Sequence, residues 1–243
     1  MATSLYKKVG LASLIMSASI LASRIIGLAR EMVIAHVGGA TGAVDAYQVS
    51  FVIPEILNHV VASGFLSITF IPIFANYLAQ GREDEGWRVF SIVMTHFGLL
   101  LLALIAVAVI FADGLVTLLA PGLTEAPLKA AAVRMTRVII PAQFFFFTGG
   151  LFSAVQFAKE RFALPALAPL VYNLGIIIGG LALGPLIGME GFSWGVLVGA
   201  FVGNFALQFV GARRVGMPLY VNLDWRHPTS SDDLSAPFSA AVV

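Results

Sequence analysis

Six long stretches of this sequence are almost entirely apolar, and they restrict the chain to a narrow class of folds. They run from about residue 9 to 37, 46 to 78, 89 to 112, 138 to 158, 162 to 189 and 191 to 212. An α-helix needs about 20 mostly apolar residues to cross a bilayer. Strands of this length are rare, and an open sheet in lipid would leave backbone groups unpaired. We therefore predict an all-α integral membrane protein with six transmembrane helices.

The composition excludes the common soluble classes. The chain is 59% hydrophobic and 11% charged, whereas soluble domains carry about 45–50% apolar and about 25% charged residues. It contains no cysteine, which excludes a disulfide scaffold and a thiolate metal site. Its net charge is +1, so no nucleic-acid partner is expected. We expect no metal and no cofactor, and membrane lipids as the surroundings.

Three regions are expected along the chain. Residues 1–9 resemble the translated remnant of a cloning vector, and we expect them to be a tag. Residues 10–214 contain the six predicted helices. Residues 215–243 are more polar, which indicates a cytoplasmic tail that we expect to be truncated.

Lysine and arginine positions predict the orientation. With the N-terminus inside, the inner segments hold eight Lys and Arg residues, and the outer segments hold three. Because cytoplasmic loops are enriched in these residues, both termini are predicted to lie inside.

The first predicted helix carries two arginines in apolar sequence. Arg24 and Arg30 would lie about 9 Å apart along the axis and about 120° apart around it. An arginine near the bilayer centre costs at least ~2.5 kcal/mol unless it meets water or a partner. This favours a hydrated cavity, and guanidinium groups bind phosphate well. The alternative is that Arg30 only pairs with Glu31 near the helix end.

The second predicted helix holds further polar candidates. Asp45 lies at its start, where it could cap the helix, pair with a cavity arginine or bind a cation. Glu55 and His59 are four residues apart and could pair or line the same cavity. Pro54 is expected to bend the helix there.

The fifth and sixth predicted helices contain small residues and a buried amide. Asn173 is expected to form an interhelical hydrogen bond or to line the cavity. Glycines spaced by four predict close helix contact. They are Gly175 and Gly179 in one helix, and Gly195, Gly199 and Gly203 in the other.

Enzyme motifs are nearly absent from the sequence. Residues 191–195 match G-x-S-x-G, but they lack the preceding strand that a nucleophile elbow needs. No P-loop, zinc-protease or dinucleotide motif occurs in the sequence. We therefore predict that the chain is not an enzyme.

An ordered set of segments resembles the MurJ (also called MviN) family of lipid II flippases. The segment from Ser23 to Glu31, SRIIGLARE, is similar to the family's S-R-x-x-G-x-x-R-[DE] opening. The resemblance continues, in chain order, through Asp45-Ala46-Tyr47, Ile53-Pro54, Gly64-Phe65-Leu66-Ser67, Phe70-Ile71-Pro72-Ile73, Ala120-Pro121-Gly122-Leu123, the segment 161–169, Asn173 and the segment 213–217.

The resemblance implies the N-terminal lobe of a transporter of the MOP exporter superfamily. Such transporters have two helical lobes around a cavity that alternates between the membrane faces. They move lipid II outward across the bacterial cytoplasmic (inner) membrane for peptidoglycan and cell-wall synthesis. By this resemblance, Arg24, Arg30 and Asp45 fall on cavity positions that matter in the family. We expect Arg24 and Arg30 to bind the substrate's diphosphate, and we take Asp45, Glu55 and His59 as gating or ion-coupling candidates.

This chain departs from the family pattern in two ways. Asn58 and His59 stand where the family usually shows basic residues, which weakens an anion contact or makes it pH-dependent through His59. Asn58 then remains, with Asn173, as a polar cavity candidate. Family members are also much longer, so a second lobe or a second copy of the chain is expected as a partner.

Two other functions stay open. One is a related transporter of another polyprenyl-diphosphate-linked saccharide or of drugs. The other is a non-transporting membrane scaffold that uses its glycines to pack. Arginines deep in the apolar sequence favour an anionic substrate over a cationic drug.

Overall fold

Over residues 2–61 and 70–218, which the computed structural model describes, the protein forms only helices and the short segments that join them. The helices are α1 (Ala2–Gly38), α2 (Gly42–Val49), α3 (Val52–Val61), α4 (Ile71–Ala79), α5 (Glu83–Ile110), α6 (Ala112–Leu119), α7 (Ala126–Ile139), α8 (Ala142–Ala158), α9 (Ala163–Ile187), α10 (Glu190–Gly199) and α11 (Leu207–Arg214). A π-helical segment, Ala200–Ala206, joins α10 to α11. The all-α prediction is confirmed.

Four helical stretches of the described residues are long and apolar enough to cross a membrane. They are Glu83–Ile110, Ala126–Ala158, Ala163–Ile187 and Glu190–Arg214. They correspond to the third to sixth predicted spans. The first two spans, and with them the count of six, stay predictions. The Gly64–Ser67 motif and most of the predicted tail lie outside the described residues.

The second predicted span is not one continuous helix. It breaks at Ser50 and Phe51, between α2 and α3. Pro54 has no backbone N–H, and its ring clashes with the carbonyl four residues earlier, at Ser50. The bend predicted at Pro54 therefore falls about one turn before it.

Two other spans begin earlier than the hydropathy pattern predicts. Helix α5 begins at Glu83 rather than at residue 89, with Glu83, Asp84 and Glu85 in its first turn. Acidic residues at that position interact favourably with the helix dipole. The span predicted from residue 138 begins at Ala126, and its two helices meet at Ile140 and Pro141.

Helices α9 and α10 pack closely along their glycines, as the sequence predicts. A Cβ atom on Gly175 would lie 2.5 Å from Gly199 Cα, and one on Gly179 would lie 2.4 Å from Gly195 Cα. Both distances are shorter than any normal carbon contact, which is about 3.5–4.0 Å. Only glycine allows this backbone approach.

Helix α1 packs along α9. The Ser19 hydroxyl donates to the Ala166 carbonyl, and Arg30 contacts Asn173 farther along both helices. The two contacts follow the same chain order, so α1 and α9 run in the same direction. This packing brings the charged part of α1 against the middle of α9.

Candidate functional site

Arg30 is the centre of a polar cluster between α1, α2 and α9. Its guanidinium pairs with the Glu31 carboxylate, and the Arg30 side chain remains 27% exposed. Its Nη1 also donates to Asn173 Oδ1 at 3.1 Å. The local pair with Glu31 is therefore present, together with a contact to α9. The hydrated cavity expected at this arginine stays a prediction.

Asn173 is held in position to accept this hydrogen bond. Its side-chain Nδ2 donates to the carbonyl of Pro169 at 2.9 Å, one helical turn earlier in α9. Asn173 is only 7% exposed. Because its amide nitrogen is occupied by the backbone, its oxygen is directed to Arg30, and the predicted interhelical hydrogen bond is confirmed.

Two tyrosines that the sequence analysis did not single out as site residues lie within electrostatic range of the same guanidinium. Tyr47 in α2 and Tyr172 in α9 both interact electrostatically with Arg30. Tyr47 is 3% exposed, and its ring packs edge-on against Phe192 of α10. The sequence did mark these two residues as unusual, because tyrosine is uncommon in the interior of apolar helices.

Arg24 and Asp45 are not brought into this cluster. The Arg24 side chain is exposed on α1, and no hydrogen bond or ion pair joins it to another residue within 2–61 and 70–218. Asp45 is exposed in the first turn of α2, whose N-cap residue is Thr41. The prediction that Asp45 caps this helix is therefore wrong, because the helix begins three residues before it.

Glu55 and Asn58, both exposed, line a partly open cavity of about 180 Å³. Helices α3, α7, α8, α9 and α10 form its walls, together with Phe51 directly before α3. The lining residues are Phe51, Pro54, Glu55, Asn58, Ile139, Gln143, Phe146, Tyr172 and Val196. The cavity and the Arg30 cluster meet on α9, where Tyr172 lines the cavity and the next residue, Asn173, accepts the hydrogen bond from Arg30.

His59 is placed differently from Glu55. Its ring Nδ1 bonds the backbone oxygen of Glu55 at 2.9 Å, and His59 is not among the described residues that line the cavity. Glu55 lines the cavity, while the His59 ring turns back to the backbone of α3. Glu55 and His59 therefore lie four residues apart on α3, but of these two residues only Glu55 lines the cavity.

Gln143 is the cavity residue that sequence reasoning missed. It lies in the first turn of the uncharged helix α8, and it is 8% exposed. Its only sequence signal is a polar residue in a mostly apolar span. The direction of its side chain depends on the packing of five helices, which the sequence pattern does not contain.

Comparison with known proteins identifies a single family. The family model described as "Lipid II flippase MurJ" matches residues 34–243. The "Lipid II flippase MurJ" of Burkholderia cenocepacia is 32% identical over 224 residues, which cover 89% of this chain and 43% of that protein. The "Probable lipid II flippase MurJ" of Thermotoga maritima is 33% identical over 157 residues, covering 65% of this chain and 32% of that protein.

A solved structure supports the fold. The chain described as "Lipid II flippase MurJ, inward closed conformation" superposes with a TM-score of 0.70 at 24% sequence identity. The match covers 87% of this chain and 43% of that one. The chain therefore spans less than half the length of these relatives.

Proposed function

The chain belongs to the MurJ family of lipid II flippases, and from that premise we propose that it is the N-terminal lobe of such a transporter. Its substrate is lipid II, a polyprenyl-diphosphate-linked saccharide. The transporter moves it from the cytoplasmic to the outer leaflet of the bacterial inner membrane, for cell-wall synthesis. The lobe spans the membrane six times, with both termini on the cytoplasmic side.

The observation that carries this proposal is the placement of Arg30. A guanidinium within a membrane lobe is costly unless it has partners or a hydrated site. Arg30 is held by Glu31 and Asn173, and part of it stays accessible. Arginine forms bidentate hydrogen bonds with phosphate oxygens, so an accessible, oriented guanidinium is suited to bind one phosphate of the diphosphate.

Arg24 supplies the second positive charge in this proposal. It lies on the same helix, is exposed and has no partner among the described residues. Because the Arg24 side chain has no partner among the described residues, it can bind the substrate without first breaking an ion pair. Asp45 acts at the gate, and Glu55 and His59 take part in gating or ion coupling.

The proposed mechanism needs a second lobe. The relatives are more than twice as long as the matched region, and a cavity between two lobes lets substrate enter from one face and leave from the other. This chain then supplies one wall of the cavity. A second lobe, or a second copy of the chain, supplies the other wall.

Binding of lipid II to the purified chain tests the proposal. Native mass spectrometry would compare the wild type with the double variant Arg24→Ala, Arg30→Ala. A matched control is Arg134→Ala, Arg137→Ala, because these arginines are also exposed on a predicted membrane helix and Arg134 also pairs with a glutamate, Glu190. We expect the wild type and the control to bind lipid II, and the Arg24, Arg30 variant to lose binding.

The same variants separate transport from a scaffold role. If the arginines only stabilise the lobe, the Arg24, Arg30 variant melts well below the wild type in detergent and its binding loss follows unfolding. If it melts like the wild type and binds lipid II equally well, the arginine site is wrong.

A further inference from the structure

Helix α6 buries one of its sides and exposes the others. Ala112 and Val116 are buried, and the helix packs against α7, α5 and α3. Asp113 and Thr117 are exposed, and at 3.6 residues per turn they lie about 100° around the helix from the buried pair. Because a carboxylate is costly to remove from water, this polar side of α6 faces water.

The remaining side of α6 is apolar. Phe111, directly before the helix, is 62% exposed, and Leu118 is 74% exposed. These two residues are seven positions apart, which places them on one side of a helix, roughly 130° from both the buried and the polar pair. Leu115 lies on the same side and is partly buried. A short helix with separate apolar and polar exposed sides is typical of the boundary between lipid and water.

The apolar side of α6 continues the exposed stripe of α5. Val107 and Ile110 are exposed near the end of α5, and the spacing of three or four residues continues through Gly114 to Leu118. Helix α5 is long and apolar enough to cross a membrane, so lipid covers its exposed stripe. The same lipid surface therefore reaches the apolar side of α6.

Charged side chains show where the hydrocarbon ends near α6. Arg137 of α7 is exposed, and its Nε donates to the carbonyl of Val109 at 3.2 Å, in the last turn of α5. Arg134, one turn earlier in α7, pairs with Glu190 at the start of α10. Because an arginine inside the hydrocarbon is costly, these residues mark the level of the lipid headgroups. Helix α6 begins at this level, since Ala112 follows Val109 by three residues.

We propose that the apolar side of α6, formed by Phe111, Leu115 and Leu118, is a lipid-binding surface at the boundary between the headgroups and the acyl chains. The eight residues of α6 measure about 12 Å, too short to cross a hydrocarbon core of about 30 Å, so α6 is anchored at one membrane face. In the proposed orientation this face is the outer leaflet. Because α6 joins α5 to α7, its contact with lipid holds the ends of both helices at that depth.

Site-directed spin labelling tests the depth of α6, since the chain contains no cysteine and a single label can be placed at will. The full chain would carry a nitroxide at Leu118→Cys, with Thr117→Cys as the matched control, because these neighbours are both exposed but lie on different sides of α6. Ile178→Cys gives a reference inside the hydrocarbon, because Ile178 is exposed in the middle of α9. Power saturation with oxygen and with a water-soluble nickel complex would be measured in vesicles of phosphatidylethanolamine and phosphatidylglycerol.

We expect the label at Leu118 to collide more with oxygen than with the nickel complex, at a depth of about 5–10 Å, as for other helices that lie at the membrane boundary. The label at Thr117 should collide mainly with the nickel complex, and the label at Ile178 should lie deeper than the label at Leu118. A melting temperature equal to that of the wild type confirms that each variant is folded.

Two results would overturn the inference in different ways. If the labels at Leu118 and Thr117 collide equally with the nickel complex, α6 stands in water and the lipid-binding surface is wrong. If the label at Leu118 is immobilised and neither reagent reaches it, protein rather than lipid covers this side of α6. Neither result concerns the diphosphate site, which the lipid II binding measurements test separately.

Discussion

The Gly179→Ala substitution tests whether glycine is required where α9 meets α10. The added Cβ would lie 2.4 Å from Gly195 Cα and 2.8 Å from the carbonyl oxygen of Gly191. Both atoms belong to the α10 backbone and cannot turn aside as a side chain can. Since carbon atoms in contact are about 3.5–4.0 Å apart, the helices must separate locally by about 1 Å or more.

The expected cost follows from two opposing effects. Overpacking of a well-packed interior costs typically about 1–3 kcal/mol, and replacing a helical glycine by alanine returns roughly 0.5–1 kcal/mol. The net loss of stability is then about 1–2 kcal/mol, or a decrease of about 2–8 °C in melting temperature for a domain of this size.

Thermal melts of the purified protein in detergent would measure the effect. Gly114→Ala in α6 is the matched control, because a Cβ at that position would meet no described atom within 4 Å. We expect the control to melt at or slightly above the wild-type temperature. If Gly179→Ala melts together with Gly114→Ala, the close approach of α9 and α10 is wrong.

Three further substitutions test other parts of the lobe by the same melts. Gln156→Leu removes a 1% exposed amide that donates to Gln208 Oε1 at 3.1 Å; it should cost about 1–3 kcal/mol, and an unchanged melt would refute this network between α8 and α11. Thr136→Val should leave the melting temperature unchanged or raise it, because the buried Thr136 hydroxyl has no partner among the described residues; a lower value would reveal a partner. Lys159→Met removes the ion pair with Glu83, so the variant should melt at a lower temperature than the wild type. Its melting temperature should also change less than that of the wild type when salt is added. The same salt response in both proteins would argue against the ion pair.

The observed bounds of the helices show how accurately hydropathy predicts where a span begins and ends. The fifth predicted span, 162–189, is close to the observed α9, Ala163–Ile187. The polar loop that precedes this helix and the glycine at position 188 that follows it interrupt the apolar sequence at its two ends. The third span begins earlier than predicted, at Glu83. Acidic residues lower hydropathy, yet they favour the first turn of a helix.

The sequence shows where each proline lies, but it does not show as directly where that proline breaks the helix. Pro54 interrupts the second predicted span, and the sequence indicates that interruption directly. The break lies at Ser50 and Phe51, because the proline ring acts on the carbonyl of the preceding turn. The cap was one of three alternatives for Asp45, and only the helix backbone shows that α2 begins earlier, at Gly42, with Thr41 as its N-cap residue.

The sequence by itself determined the class of protein, most of the long helices, the glycine contact of α9 and α10, and the family resemblance. These features depend on residue type and on spacing within one helix, which hydropathy and periodicity report. Only the tertiary structure decided that Arg30 meets Asn173, 143 positions along the chain, and that Gln143 faces Glu55 and Tyr172 in one cavity. Such contacts depend on how separate helices pack and rotate against one another, and no local pattern contains that information.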